Sequence, residues 1–150
     1  MKALKLLTAL IAIITVTLTL AACPRTEEGM KSVTVIIAYD DDTADTYTKD
    51  TDLTYLGELL DELHDKGELE LDCAGSDFGR QVKVIGGLQD DISEYSEWIG
   101  IYSDITDETL LFTEYKMTYG DKEYTSVNCG IDLLPLYDGR TYLFIMCESE

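Results

Sequence analysis

Few side chains in this 150-residue chain are of a kind that does chemistry. There are four cysteines and one histidine, His64. No two cysteines have C-x-x-C spacing, so a zinc site of Cys and His ligands has little to draw on. Ser76, Ser96 and Ser103 stand in no nucleophile-elbow context, and neither GxGxxG nor a P-loop occurs. Paired carboxylates are unavoidable among 30 acidic residues. None lies in an apolar run that would separate two pKa values for acid–base work, so the chain reads as no enzyme. Asp40-Asp41-Asp42 with Asp45, Asp50 and Asp52 offers the oxygens that calcium takes. An EF-hand register from Asp41 puts Thr43, Asp45 and Asp52 at ligand positions but Thr46 where glycine is required, so an exposed acidic loop without metal is the default. Trp98 and Tyr102 lie four apart and share one face of a strand, with Tyr95 behind them. These three are the candidate ligand contacts, a platform for a flat macrocycle or a sugar. The competing reading packs Trp98 and Tyr102 in the core.

Cys23 has a chemistry of its own. Lys2 and Lys5 form a positive start, and no charged residue occurs from Leu6 to Ala22. The run closes on Leu20-Ala21-Ala22-Cys23, which resembles the lipobox of bacterial lipoprotein precursors at every position. That resemblance implies removal of residues 1–22 as a signal peptide and a diacylglyceryl thioether on Cys23. A membrane-spanning helix needs about 17–25 apolar residues; the interspersed threonines and the small pair before the cysteine argue against one. Two acyl chains give stable attachment. The expectation is a protein held to the extracellular face of the cytoplasmic membrane, with residues 23–31 as a polar tether that buries nothing.

Removing 22 of 150 residues leaves 128, the size of one domain. The chain carries −19, and loss of Lys2 and Lys5 takes it to about −21. Like charge then disfavours nucleic acid and anionic headgroups as partners. Cys73, Cys129 and Cys147 remain, an odd number. Cys129–Cys147 is the candidate disulfide, with an inert buried thiol at Cys147 the equal alternative.

The elements that must position these residues follow from periodicity. Val33–Tyr39 is β-branched and apolar on both faces, a strand of a covered sheet. Asp40–Asp52 reads as a loop. Leu56, Leu59, Leu60 and Leu63 recur at helical spacing, with Thr54 or Asp52 as N-cap and Gly67 as the stop. Glu68–Asp72, Gln81–Ile85 and Trp98–Tyr102 read as strands, and Gly86-Gly87 as a turn. Leu110–Met117 and Glu123–Val127 make a hairpin about Gly120-Asp121. Tyr137–Arg140 is a turn, and Thr141–Cys147, apolar on both faces, belongs in mid-sheet beside the first strand.

The order Leu56-Gly57-Glu58-Leu59-Leu60, Val84-Ile85-Gly86-Gly87, Trp98–Tyr102, Gly130-Ile131-Asp132 and Asp138-Gly139-Arg140-Thr141-Tyr142-Leu143-Phe144 resembles the transcobalamin-like C-terminal domain family of bacterial lipoproteins. The likeness covers about residues 32–148. It implies an α+β, β-grasp-like domain over 32–150: a single mixed sheet with one helix across it. The family's Tyr-Val-Asn-Gly is missing after Tyr102, so residues 107–124 read as an inserted hairpin. In the vertebrate transport proteins this domain lies over bound cobalamin while a helical domain completes the site. The resemblance therefore implies a corrinoid ligand, and the missing helical partner implies weak or assisted binding. A protein-interaction module that docks another surface protein through a sheet edge or the hairpin is the alternative.

Overall fold

The computed structural model describes residues 25–39, 43–90 and 97–148. The signal segment, Cys23, Tyr95, Ser96 and Asp40–Asp42 lie outside the described residues. Among the described residues no helix is long and apolar enough to cross a membrane.

The chain runs through β1 (Lys31–Ala38), β2 (Ala44–Thr51), α1 (Leu56–Asp65), β3 (Leu71–Ala74), β4 (Gln81–Ile85) and β5 (Leu88–Gln89). It continues through β6 (Glu97–Ser103), β7 (Leu111–Tyr119), β8 (Lys122–Val127) and β9 (Thr141–Glu148). This is an α+β fold. A six-stranded sheet has the order β2-β1-β9-β6-β8-β7, and β3-β4-β5 form a second, three-stranded sheet. The expectation of a single sheet is thus corrected to two. The large sheet is mixed because β1 and β9 run parallel, whereas its other pairs run antiparallel. The last strand lies in the middle, beside the first. Its two faces explain its apolar run: Tyr142 and Phe144 point to one core cluster, Leu143 and Ile145 to the other.

The main core lies between the inner face of the large sheet and a layer made of α1 and the small sheet. Val33, Val35 and Ile37 of β1 meet Leu56, Leu59, Leu60 and Leu63, all buried, together with Ile85 and Leu88. Helix α1 closes as the sequence leads one to expect. Gly67 takes φ +70°, its N–H donates to the His64 carbonyl, and the Glu68 N–H donates to the Leu63 carbonyl, a Schellman close. Its start differs. Tyr55, not Thr54 or Asp52, is the N-cap, and the Glu58 carboxylate accepts the N–H groups of Thr54 and Tyr55 at 2.9 Å.

Two further expectations are corrected. Residues 44–51 form an edge strand paired along its whole length with β1, not a loop. Its Thr46-Tyr47-Thr48 core has the β-branched and aromatic character of a strand, and its charged residues suit an exposed edge. Residues 107–124 are not an add-on: β8 lies inside the sheet between β6 and β7, and Leu110 and Tyr124 are buried. The hairpin turn falls where expected, with Gly120 at φ +59°.

Nor do residues 25–31 hang free. The Tyr137 hydroxyl donates to the Arg25 carbonyl at 2.6 Å, and the Asp138 N–H donates to the Glu27 carboxylate at 2.8 Å. Lys31 is buried, its ammonium donating to the carbonyls of Glu27 and Gly29. The Tyr137–Arg140 turn thus fastens the chain where it passes into β1.

Candidate functional site

β6 and β8 pair only at Tyr102 with Ser126 and Ser103 with Thr125. Beyond that point the strands part. After Val127 the chain is drawn away: the Asn128 N–H donates to the Leu110 carbonyl, the Gly130 N–H to the Phe78 carbonyl at 2.7 Å, and the Ile131 N–H to the Arg80 carbonyl. Glycine is needed for this crossing, since a Cβ on Gly130 would lie 2.5 Å from the Arg80 carbonyl oxygen. The gap is a cavity of about 600 Å³ between the first half of β6 and residues 126–130, walled also by β4 and bordered by Trp98, Phe78 and Phe112.

Trp98 is 44% exposed and lies at this cavity, so it is no core residue. Tyr102 shares its face of β6 but not its site. The Tyr102 ring covers Gly100, where a Cβ would meet it at 2.9 Å, and the hydroxyl lies 3.6 Å from the Cys147 sulfur. Burial and this contact push the Tyr102 hydroxyl up to about 12, so it stays protonated at neutral pH. The structure brings Trp98 together with Phe78 and Phe112, two residues that sequence reasoning missed. Both are exposed large aromatics, a state that no local pattern reports.

The charges around the cavity are divided in use. Lys83 meets Asp90 at 2.7 Å, and the other Asp90 oxygen accepts the Ile99 N–H at 2.9 Å. This pair staples the small sheet to β6. Glu97 lines the cavity and makes no ion pair among the described residues. Cys129 also lines it; burial pushes its thiol up to about 11, which leaves it protonated and a poor nucleophile at neutral pH.

The remaining candidates have structural roles. Cys73, Cys129 and Cys147 are all free thiols, so the Cys129–Cys147 disulfide is not formed. The His64 ring nitrogen Nδ1 lies 3.0 Å from the Leu69 carbonyl. The Ser103 hydroxyl donates to the Thr141 carbonyl in the core. Of the calcium register, Asp41 lies outside the described residues, Asp45 lies in β2 and accepts the Tyr39 hydroxyl at 2.6 Å, and Asp52 follows the far end of that strand, seven residues on. No three His, Cys, Asp or Glu side chains converge among the described residues.

No family model matches the chain, and no curated protein matches it. Among solved structures, a Ruminococcus gnavus protein described as a "putative metal binding protein" is similar over 80% of this chain and 99% of its own. The TM-score is 0.55 at 22% identity, a likeness that speaks for a shared fold.

Proposed function

We propose that this chain is an exported lipoprotein, anchored through Cys23 on the outer side of the cytoplasmic membrane. Its domain captures a small ligand in the β6–β8 cavity and performs no catalysis. The observation that carries this reading is the cavity itself, a concave site lined by exposed aromatic rings with polar groups at its wall, as ligand sites are built. The strand register suits an anchored receptor. Nine strand residues separate Lys31, where the chain joins the sheet, from the level of Trp98, about 30 Å along the strands. An anchor at Cys23 therefore leaves the cavity on the side turned from the lipid.

The resemblance to transcobalamin-like C-terminal domains supports a corrinoid as the finer reading. A cavity of about 600 Å³ encloses only one edge of such a macrocycle, so full capture needs a second protein. Thermal-shift measurements with cobalamin, haem, sugars and calcium test the reading. A ligand at about 100 times its Kd adds about 2.7 kcal/mol to the folded state, and the true class raises the melting temperature and changes Trp98 emission. No shift with any of them, and no change in emission, goes against capture. For the anchor, Cys23→Ser should abolish labelling by fatty acid and release the protein from membranes. Continued labelling at the mature size removes the lipobox reading.

One observation favours the second reading, docking of another surface protein. Phe112 and Tyr115, both exposed, meet edge to face at 6.2 Å on the outer strand β7, where the register with β8 is broken. Exposed aromatics on a sheet edge are suited to protein contact. Loss of partner capture on Tyr115→Ser, with ligand binding intact, would support docking.

A further inference from the structure

Resting on the reading of the cavity as a ligand site, we infer that its occupant is a flat organic cation, held among the Trp98, Phe78 and Phe112 rings with Glu97 as counter-charge.

Three observations lead there. First, the rings border one cavity without engaging one another. Trp98, Phe78 and Phe112 are 44%, 71% and 45% exposed, and the ring–ring contact found among the described residues is Phe112 with Tyr115. Ring faces carry the negative lobe of the aromatic quadrupole, so they favour a planar guest that is also positive.

Second, among the described residues that line the cavity no cation is free for an anionic guest. Lys83 is held by Asp90 at 2.7 Å, and Asp90 is held in turn by the Ile99 N–H. Glu97 is the cavity-lining carboxylate that has no ion-pair partner among the described residues. The local balance is negative, as is the chain at −19, and both select against anions.

Third, the donor set does not suit an inorganic ion. Calcium takes six to eight oxygens, and no three potential ligand side chains converge among the described residues. An organic cation needs only one carboxylate and the ring faces.

The test uses three two-ring probes of one shape and different charge: N-methylquinolinium, 1-methylnaphthalene and 1-naphthoate. Each is titrated into the purified protein by calorimetry and Trp98 emission, with empty detergent micelles as blank. N-methylquinolinium should bind about tenfold tighter than 1-methylnaphthalene at low salt. The preference should shrink as salt is raised, because a rim carboxylate is screened. Naphthoate should bind weakest. Glu97→Gln, at an exposed position, should weaken the cation several-fold and remove most of the salt dependence, leaving the smaller preference due to the ring faces. Equal binding of cation and hydrocarbon by the parent protein, at all salt concentrations, overturns the cation assignment while the cavity remains a ligand site. No heat and no Trp98 response with any probe overturns the ligand site itself. If Glu97→Gln does not fold, the ranking of the three probes and its salt dependence still decide.

Discussion

Two clusters of side chains flank the small sheet, and they treat charge in opposite ways. Toward the helix, the Arg80 guanidinium donates to both Asp61 oxygens, at 2.9 and 2.7 Å, and to Asp132 at 2.9 and 3.1 Å. One side chain thereby joins α1, the segment before β4 and the short turn Ile131–Leu133. Gly57 makes room for it, since a Cβ there would lie 2.5 Å from an Asp132 oxygen. Toward β6, Lys83 and Asp90 are matched in the same manner, but Glu97 and the exposed Trp98 and Phe78 rings beside them have no ion-pair or ring partner among the described residues. Groups that serve the fold are satisfied within it. The groups left over mark where a second molecule has something to gain.

The strongest way to break the first half of that comparison is beneath the clasp, in the core it covers. Leu60 is fully buried against β1 and the small sheet. Leu60→Asp removes its packing and buries a carboxylate with no partner, a loss of at least about 4 kcal/mol. A domain with about 5–15 kcal/mol in hand should then be largely unfolded, or should melt far below the parent by circular dichroism. A melting temperature within a degree or two of the parent would mean that this face is not the core face.

Leu60 was legible because helical period needs only local information: Leu56, Leu59, Leu60 and Leu63 fix a stripe whatever lies opposite. The same holds for β9, whose unbroken apolar run requires cover on both faces, and for Gln81–Ile85, which the structure matches residue for residue. The edge strand β2 was hidden by its charge. Its aspartates suggest a loop, while Thr46-Tyr47-Thr48 was the signal to follow. The division into two sheets and the cavity between β6 and β8 depend on crossings such as Gly130 over Arg80, fifty residues apart, which leave no periodic trace. Only the paired glycines Gly79 and Gly130 hint at close backbone approach. The sequence left Trp98 between an exposed platform and the core; the structure leaves it 44% exposed at the cavity, where its companions are Phe78 and Phe112 and not Tyr102. The cause is Gly100, whose missing side chain lets the Tyr102 ring fold back.

The clasp itself offers a smaller and pH-dependent effect. Hydrogen bonds from Arg80, more than any other influence, hold the Asp132 carboxyl below its ordinary value. A carboxyl with a depressed pKa in the folded state stabilises above its unfolded value, about 3.9. That contribution is lost as pH falls through the folded value. Asp132 is partly exposed, so solvent screening limits the gain. Asp132→Asn should cost about 1 kcal/mol at pH 7 by urea denaturation. The gap between the parent and the variant should narrow as the pH falls below the unfolded value and close once it is below the folded one. A gap between them that stays constant from pH 7 to pH 3 would show that the charge of Asp132 contributes nothing to the clasp.

The smallest expected effect on stability sharpens the other half of the comparison, because it should accompany the largest effect on binding. A wholly buried tryptophan costs about 3–5 kcal/mol when cut to alanine. Trp98 is 44% exposed at the cavity mouth, and its cross-strand neighbour on β9 is the small Cys147. Trp98→Ala should therefore cost no more than roughly 1–2 kcal/mol, through the half of its surface that is covered. As the single tryptophan of the chain it reports on itself. Acrylamide should quench it readily in the free protein and less so when a ligand fills the cavity. Iodide is the poorer probe, since a chain of charge −19 repels it and so imitates burial. Poor quenching by acrylamide together with a loss of several kcal/mol on substitution would place Trp98 among the groups that serve the fold. The cavity would then lose its main contact, and the exposed Phe112–Tyr115 pair on β7 would become the better candidate for a binding surface.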